Sequence, residues 1–269
     1  MSGYKDWNHI LDKATKRAHK LAHQQNTVAE PMITGPIDCA CVIHGNAYDW
    51  SYVERLYNML SRHITAGIRL HVYTEAERTV PAPMIKHELI PWQLKRANRG
   101  WWYKMQLFNT QHHAGPLLYF DLDTVVVSNI DWICHQSPTH FWTVRDFKYL
   151  WRANHVGINS SVMWWNTKNY QYVWDSFCAQ DLDNMVRRHH GDQDFLTATI
   201  PHNQCRYLDI NRVQSWRWQC VDGGYDFRRK RHKCPGTGTQ IANNTSVLVF
   251  HGRPKPADIT DAVILQHWQ

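Results

Sequence analysis

The chain of 269 residues contains no apolar run near the ~18–20 residues that a membrane-spanning helix needs. Its first thirty residues lack the apolar stretch of a secretory signal. Seven cysteines are present, but no CxxC pair and no zinc-finger spacing. There is no internal repeat and no low-complexity tract. Collagen, coiled coils and small disulfide scaffolds are excluded on composition. The expectation is a cytoplasmic chain whose cysteines stay reduced and pack as small apolar groups. The NxS/T triplets, such as Asn243-Asn244-Thr245, then carry no glycan.

Acidic residues are also in deficit, 23 against 30 Lys and Arg, for a formal charge of +7. What is abundant is aromatic: 14 Trp, 12 Tyr and 8 Phe, with 18 His. At 43% hydrophobic the chain can bury a core, so global disorder is excluded. Positive charge with many rings points to a negatively charged partner. Nucleic acid, a nucleotide, an anionic membrane surface and a glycan all fit that description.

Residues 4–24 read as a basic amphipathic helix. Trp7, Ile10, Leu11, Ala14, Ala18, Leu21 and Ala22 form one stripe, and Lys13, Lys16, Arg17 and Lys20 lie mostly off it. Such a helix docks on the main domain, on a membrane surface or on a partner helix. Residues 25–36, with Pro31, Gly35 and Pro36, read as a linker. The expected organisation is a helix and linker in 1–30 and a single catalytic domain in 31–269. Strand and helix then alternate. Strands are expected at 37–44, 69–74, 86–90, 117–120, 125–127, 140–144, 156–165 and 247–250. Helices are expected at 51–63, with Ser51 as N-cap, and at 101–111 and 169–179. The class is α/β, a Rossmann-like, mostly parallel sheet with helices on both faces. Cys39 and Cys41, two apart in a strand, share a face.

Four apolar residues, Leu117 to Phe120, deliver Asp121-Leu122-Asp123 to a strand end. Ligands of open α/β sheets bind beyond the carboxyl ends of the strands. With a period of two, one strand presents both carboxylates on one side. Two adjacent acids are costly unless a cation neutralises them, and oxygen ligands suit Mg²⁺ or Mn²⁺. Two enzyme classes use such a pair. In haloacid-dehalogenase-like phosphatases the first Asp is a covalent nucleophile. Their motif sits on the first strand, however, whereas here strand–helix units precede it. The other class is the metal-dependent nucleotide-sugar glycosyltransferases. Near the C-terminus, Val247 to Phe250 end in His251, followed by Gly252-Arg253-Pro254-Lys255-Pro256. A neutral imidazole can complete a carboxylate-bound metal site, and a Lys can act as a point charge on a diphosphate.

Taken in order, these segments resemble the GT-A fold glycosyltransferases, most closely the family-8-like lipopolysaccharide type, over roughly residues 37–257. Asp38 to Tyr48 is similar to the first strand and nucleotide loop, and Trp101 to Phe108 to the helix before the DxD strand. Gly157-Ile158-Asn159-Ser160-Ser161-Val162 is similar to the strand whose Asn reaches the donor sugar. Gly191-Asp192-Gln193-Asp194 resembles the segment beside the sugar. His251 to Pro256 resembles the closing HGxxKP segment in shortened form, with Gly252 directly after His251. The resemblance implies that Asp123 and His251 bind Mn²⁺ (or Mg²⁺), with Asp121 sharing the metal or holding ribose and sugar. It implies that His44, Asn46 and Tyr48 surround base and ribose. Lys104 and Arg145 or Asp146 are implied at the diphosphate or sugar, Asn159, Asp192 and Gln193 at the sugar hydroxyls, and Lys255 on the leaving diphosphate. Implied too are a UDP-sugar donor, a saccharide or lipid-linked acceptor and retention of configuration. An inverting enzyme would instead draw its base from Asp146, Asp192 or Asp194.

One basic, Trp-rich stretch stands outside these motifs. It contains Arg212, Trp216, Arg217 and Trp218, then the run 228–233. It suits a loop over the donor or near an anionic acceptor at the inner face of a membrane. A nucleic-acid-binding module is the non-enzyme alternative. Trp101, Trp102, Trp164 and Trp165 fall in core elements and read mainly as packing.

Overall fold

A computed structural model describes residues 35–92, 100–152, 154–221, 225–226, 231–232 and 238–269. The expected helix at 4–24, most of the linker, Cys234 and most of the basic run 228–233 lie outside the described residues.

Strand β1 (Ile37–Val42) alternates, with Cys39 and Cys41 in one core cluster and Ala40 in another. Helix α1 (Ser51–His63) buries Tyr52, Val53, Leu56, Met59 and Leu60. Ser51 is its first residue rather than its cap. The Asp49 carboxylate accepts the Ser51 N–H at 2.9 Å, and a negative charge is the better partner for a helix N-terminus. Strands β2 (Ile68–Thr74) and β3 (Ile85–Glu88) follow, both parallel to β1. The segment expected as an α-helix at 101–111 is a 3₁₀ helix, Gly100–Phe108. Every residue from Trp102 to Phe108 is buried, so its winding is set by packing on all sides.

The apolar run becomes β4 (Pro116–Phe120), in the middle of the sheet beside β1. The chain then turns at Asp121–Asp123, and β5 (Thr124–Val126) leaves the central sheet. Next come α2 (Asp131–Cys134), β6 (Phe141–Arg145), β7 (Ile158–Asn166) and α3 (Gln171–Cys178). After them lie α4 (Leu182–Arg188), α5 (Asp192–Thr199), β8 (Cys205–Tyr207) and β9 (Val213–Ser215). The chain closes with the short pair β10 (Tyr225–Asp226) and β11 (Arg231–His232), then β12 (Val247–Val249) and α6 (Ala262–His267).

The central sheet runs β3-β2-β1-β4-β7-β6-β8. Only β7 opposes its neighbours in direction. A second sheet, β5-β12-β9, is built from strands distant in sequence, with β12 antiparallel to β5 and parallel to β9. One core cluster joins α1, the second sheet and one face of the central sheet. The other joins the 3₁₀ helix, α3 and α5 to the opposite face. Cys39, Cys41, Cys134, Cys205 and Cys220 are buried and free, and Cys178 is exposed. Trp102, Trp164 and Trp165 are buried, as packing predicts, but Trp101 is 42% exposed. Among the described residues no helix is long and apolar enough to cross a membrane.

Trp165, fully buried on β7, packs on Phe108 at 5.0 Å between ring centroids and on Phe141 at 5.8 Å. Replacing it by Ala should cost ~3–5 kcal/mol in urea unfolding. A loss under ~1 kcal/mol would mean that this face of the sheet is not packed as described.

Candidate active site

The turn after β4, the start of α5 and strand β7 meet around one buried ammonium. Lys104, from the 3₁₀ helix, places Nζ 2.7 Å from Asp121 Oδ1 and 3.4 Å from Asp192 Oδ2. It also donates to Ser160 Oγ at 3.1 Å, and that hydroxyl in turn donates to Asp192. Burial works against the Lys104 charge, but Asp121 and Asp192 outweigh it and hold the ammonium above its ordinary pKa. Burial pushes the Asp192 carboxyl up, and Lys104 offsets part of that rise. Tyr119, the strand residue two before Asp121, donates its hydroxyl to Asp121 at 2.6 Å.

Asp123 lies across the turn. It accepts the Tyr48 hydroxyl at 3.0 Å and a short contact from Lys255 Nζ. Burial and the neighbouring Asp121 charge raise its pKa, and Lys255 and Tyr48 pull it back. The two acids lie in the turn beyond β4 rather than within the strand, and their charges act on each other. The turn gives each its own lysine, Lys104 for Asp121 and Lys255 for Asp123.

His251 is the remaining residue implied as a metal ligand. Its Nε2 shares a 2.6 Å hydrogen bond with Ser215 Oγ, and its ring lies 4.0 Å from Trp218 and 5.6 Å from Phe147. Gly252 follows at φ +77°, a conformation that L side chains avoid, and three residues on Lys255 contacts Asp123.

The two carboxylates themselves suit a divalent cation. Asp121, Asp123 and Asp192 against Lys104 and Lys255 leave a formal charge of one negative. A diphosphate entering such a site needs further positive charge, and carboxylate oxygens are the donors that Mn²⁺ and Mg²⁺ prefer.

The remaining predicted residues divide. His44 stacks on Tyr103 at 4.0 Å, making a flat aromatic edge at the end of β1. Asn46 is exposed in the turn that follows. Asn159, buried on β7, accepts the Ser161 N–H at 3.1 Å through Oδ1. Asp146 accepts from the Lys148 N–H and ammonium, both at 3.0 Å, and lies 2.8 Å from His155 Nε2. Those contacts outweigh its burial and lower its pKa. Gly157 permits this packing, since a Cβ there would come within 3.3 Å of Asp146 Cβ and 3.1 Å of His155 Nε2. Arg145 is buried and donates to the His155 carbonyl, away from the acid pair's own contacts.

A cleft of about 440 Å³ opens beside Lys104, with Asp192, Gln193, Lys148 and Trp101 on its walls. A second cavity of about 180 Å³, at Trp132, Trp142 and Arg212, holds none of the predicted site residues. Several residues here are not among the predicted site residues. Glu75, at the end of β2, accepts the Gly45 N–H and Arg78, contacts that hold it near about 2 despite burial. Its position just beyond an apolar strand is the same signal that exposed Asp121. Ser160 and Tyr119 lie inside strands, where nothing marks them. Trp101 reads as core from its apolar segment, yet it lies exposed against Gly191.

No protein-family model matches the chain, and no curated protein matches it. Solved structures do. An active-site mutant of LgtC is 13% identical, with 86% of this chain and 93% of that one covered and a TM-score of 0.56. The fold is GT-A. Apo GlyE of Streptococcus pneumoniae TIGR4, a glycosyltransferase, is 13% identical over 84% of this chain and 57% of its own, at a TM-score of 0.57. The galactosyltransferase LgtC with donor and acceptor sugar analogues is 14% identical over 86% and 93%, at 0.50.

Burial, with Arg217, depresses the His251 pKa from 6.5 to about 4. The neutral ring therefore contributes stability above pH 6.5, and that contribution is lost as the pH falls towards 4. Over that window the wild type should lose roughly 3 kcal/mol more than His251→Gln in denaturant melts. Parallel pH profiles for the two proteins would show that His251 is not held neutral.

Proposed function

We propose that the protein is a glycosyltransferase that moves a sugar from a nucleotide-sugar donor, a UDP-sugar first, to a saccharide or lipid-linked acceptor. The observation that carries this reading is the pairing of the Asp121–Asp123 turn with Lys104 and Lys255 at the carboxyl edge of a GT-A sheet. Such an edge is where α/β folds bind ligands. The phosphatase alternative is not favoured, because the acid pair follows the fourth strand of a sheet of another fold. Nucleic-acid binding has no comparable support.

Asp121 and Asp123 would hold Mn²⁺ or Mg²⁺, which when bound supplies a Lewis acid for the departing diphosphate. Lys255, now on Asp123, stabilises the negative charge that develops on the leaving oxygen. Lys104 fixes Asp121 and Asp192 in relation to each other. His44, with Tyr103 behind it, offers a stacking edge for the base, and Asn46 and Tyr48 complete the nucleotide side. Asn159 keeps its amide N–H₂ for a sugar hydroxyl, since its oxygen is taken by Ser161. Gln193 lines the cleft with Asp192 and supports the cation-like sugar as the bond to diphosphate breaks. Arg145 and Asp146 stand further round, at the sugar. His251 completes the metal set only if its imidazole leaves Ser215. Retention of configuration follows the resemblance. Asp146, Asp192 and Asp194 are the bases to test if inversion is found instead. Trp101 suits the face of an acceptor sugar. Residues 31–269 form the catalytic unit of this reading, and the inner membrane face is the setting for a lipid-linked acceptor.

Purified protein should hydrolyse or transfer from at least one UDP-, GDP- or CMP-sugar with Mn²⁺, and EDTA should abolish this. Asp123→Asn and Lys255→Ala should each lower kcat by ~10²–10³, with smaller changes in KM. If no donor gives turnover or a melting shift, the reading fails.

A further inference from the structure

A second cluster of metal-ligating side chains sits at the other edge of the central sheet. Asp38 is the second residue of β1, and His71 lies on the adjacent strand β2. His113 comes from the turn between the 3₁₀ helix and β4. Asp38 Oδ1 is 3.0 Å from His71 Nε2, and Asp38 Oδ2 is 4.0 Å from His113 Nε2. One donor atom from each of the three lies within 4.8 Å of the others. Among the described residues no other trio of His, Cys, Asp or Glu is so placed. From Asp38 to Val42 at the far end of β1 is about 13 Å at ~3.3 Å per residue, so the cluster is remote from the acid pair.

We propose that Asp38, His71 and His113 form a binding site for a transition-metal ion of the Zn²⁺ class, with water as fourth ligand, pinning the amino edge of the sheet. Two imidazoles and one carboxylate are a zinc donor set, whereas Mg²⁺ and Ca²⁺ prefer oxygen alone. Bonds of ~2.0–2.1 Å at tetrahedral angles set donor atoms ~3.3 Å apart, so modest movement closes the trio.

The surroundings support the same reading. His71 turns its other nitrogen, Nδ1, to His87 Nε2 at 2.8 Å. With a metal on Nε2, the remaining Nδ1–H donates to His87, the outer partner that metal-bound histidines regularly have. Tyr73 stacks on His87 at 4.6 Å and meets His112 at 5.6 Å. Tyr73 Oη and His112 Nε2 are buried with no hydrogen-bond partner among the described residues. Arg69 grips Asp38 through two nitrogens at 2.6 and 2.8 Å, from a side chain 51% exposed. It contacts both carboxylate oxygens, so a bound metal would displace this exposed side chain into solvent, and would replace the contact of His113 Nε2 with the Pro116 carbonyl at 3.2 Å.

The test is calorimetric titration with Zn²⁺ alone, with metal content after dialysis. The wild type should bind one Zn²⁺ per chain, with a rise in melting temperature, and Asp121→Asn and Asp123→Asn should keep both. His71→Gln and His113→Gln should each weaken binding more than ~100-fold, and His87→Ala by ~10–100-fold. Should the His71 variant not fold, His113→Gln, in a partly exposed turn, serves alone. Co²⁺ bound to the wild type should also show the intense visible absorption of a four-coordinate ion. No bound Zn²⁺, binding lost in the Asp121 and Asp123 variants, or full affinity in His113→Gln would each overturn the proposal.

Discussion

One buried positive charge, the ammonium of Lys104, is the constraint on which the site is built. Removing an ammonium from water costs several kcal/mol, and only close carboxylates and hydrogen bonds return it. Asp121, Asp192 and Ser160 do so, and they come from the turn after β4, the start of α5 and β7. Taking away one partner of such a group typically costs ~3–5 kcal/mol. The 3₁₀ helix, the central strand and α5 are therefore held in one arrangement by electrostatics that nearby apolar contacts could not specify. Asp123 extends the arrangement outwards through Tyr48 and Lys255 to the β1 loop and the segment after β12.

Much of this was legible in the residues, for definite reasons. Strands β1, β2, β4 and β7 are apolar runs bounded by turn formers, and local pattern suffices to find them. Asp121 and Asp123 stand out because carboxylates directly after a buried strand need an explanation. Strands β5 and β12 were legible, but not β9 or their joining into a second sheet, which pairs residues across long stretches of chain. Nor was the 3₁₀ winding of Gly100–Phe108, which burial on all sides imposes. Strand periodicity does not reach the acids, because the strand ends at Phe120 and both lie in the turn beyond it. His251 looks like a ligand in a motif, and only the tertiary structure shows it held by Ser215 between aromatic rings.

The two edges of the central sheet carry different chemistry. At the carboxyl edge, carboxylates and lysines leave a small negative excess beside an open cleft. At the amino edge, imidazoles gather around Asp38 with Arg69 outside them. Both arise from the parallel topology, which aligns like ends of β1, β2 and β4 and so concentrates whatever those ends contain.

Lys255 and Asp123 are 132 residues apart, and their contact closes a circuit that runs through β5 and across to β12. Closing so long a loop is entropically late, since little rewards it before the intervening strands have paired. This side of the site therefore comes into being only in molecules whose fold is complete. The Lys255–Asp123 pair is in that sense a census of finished molecules, blind to partly folded ones that already have their central strands.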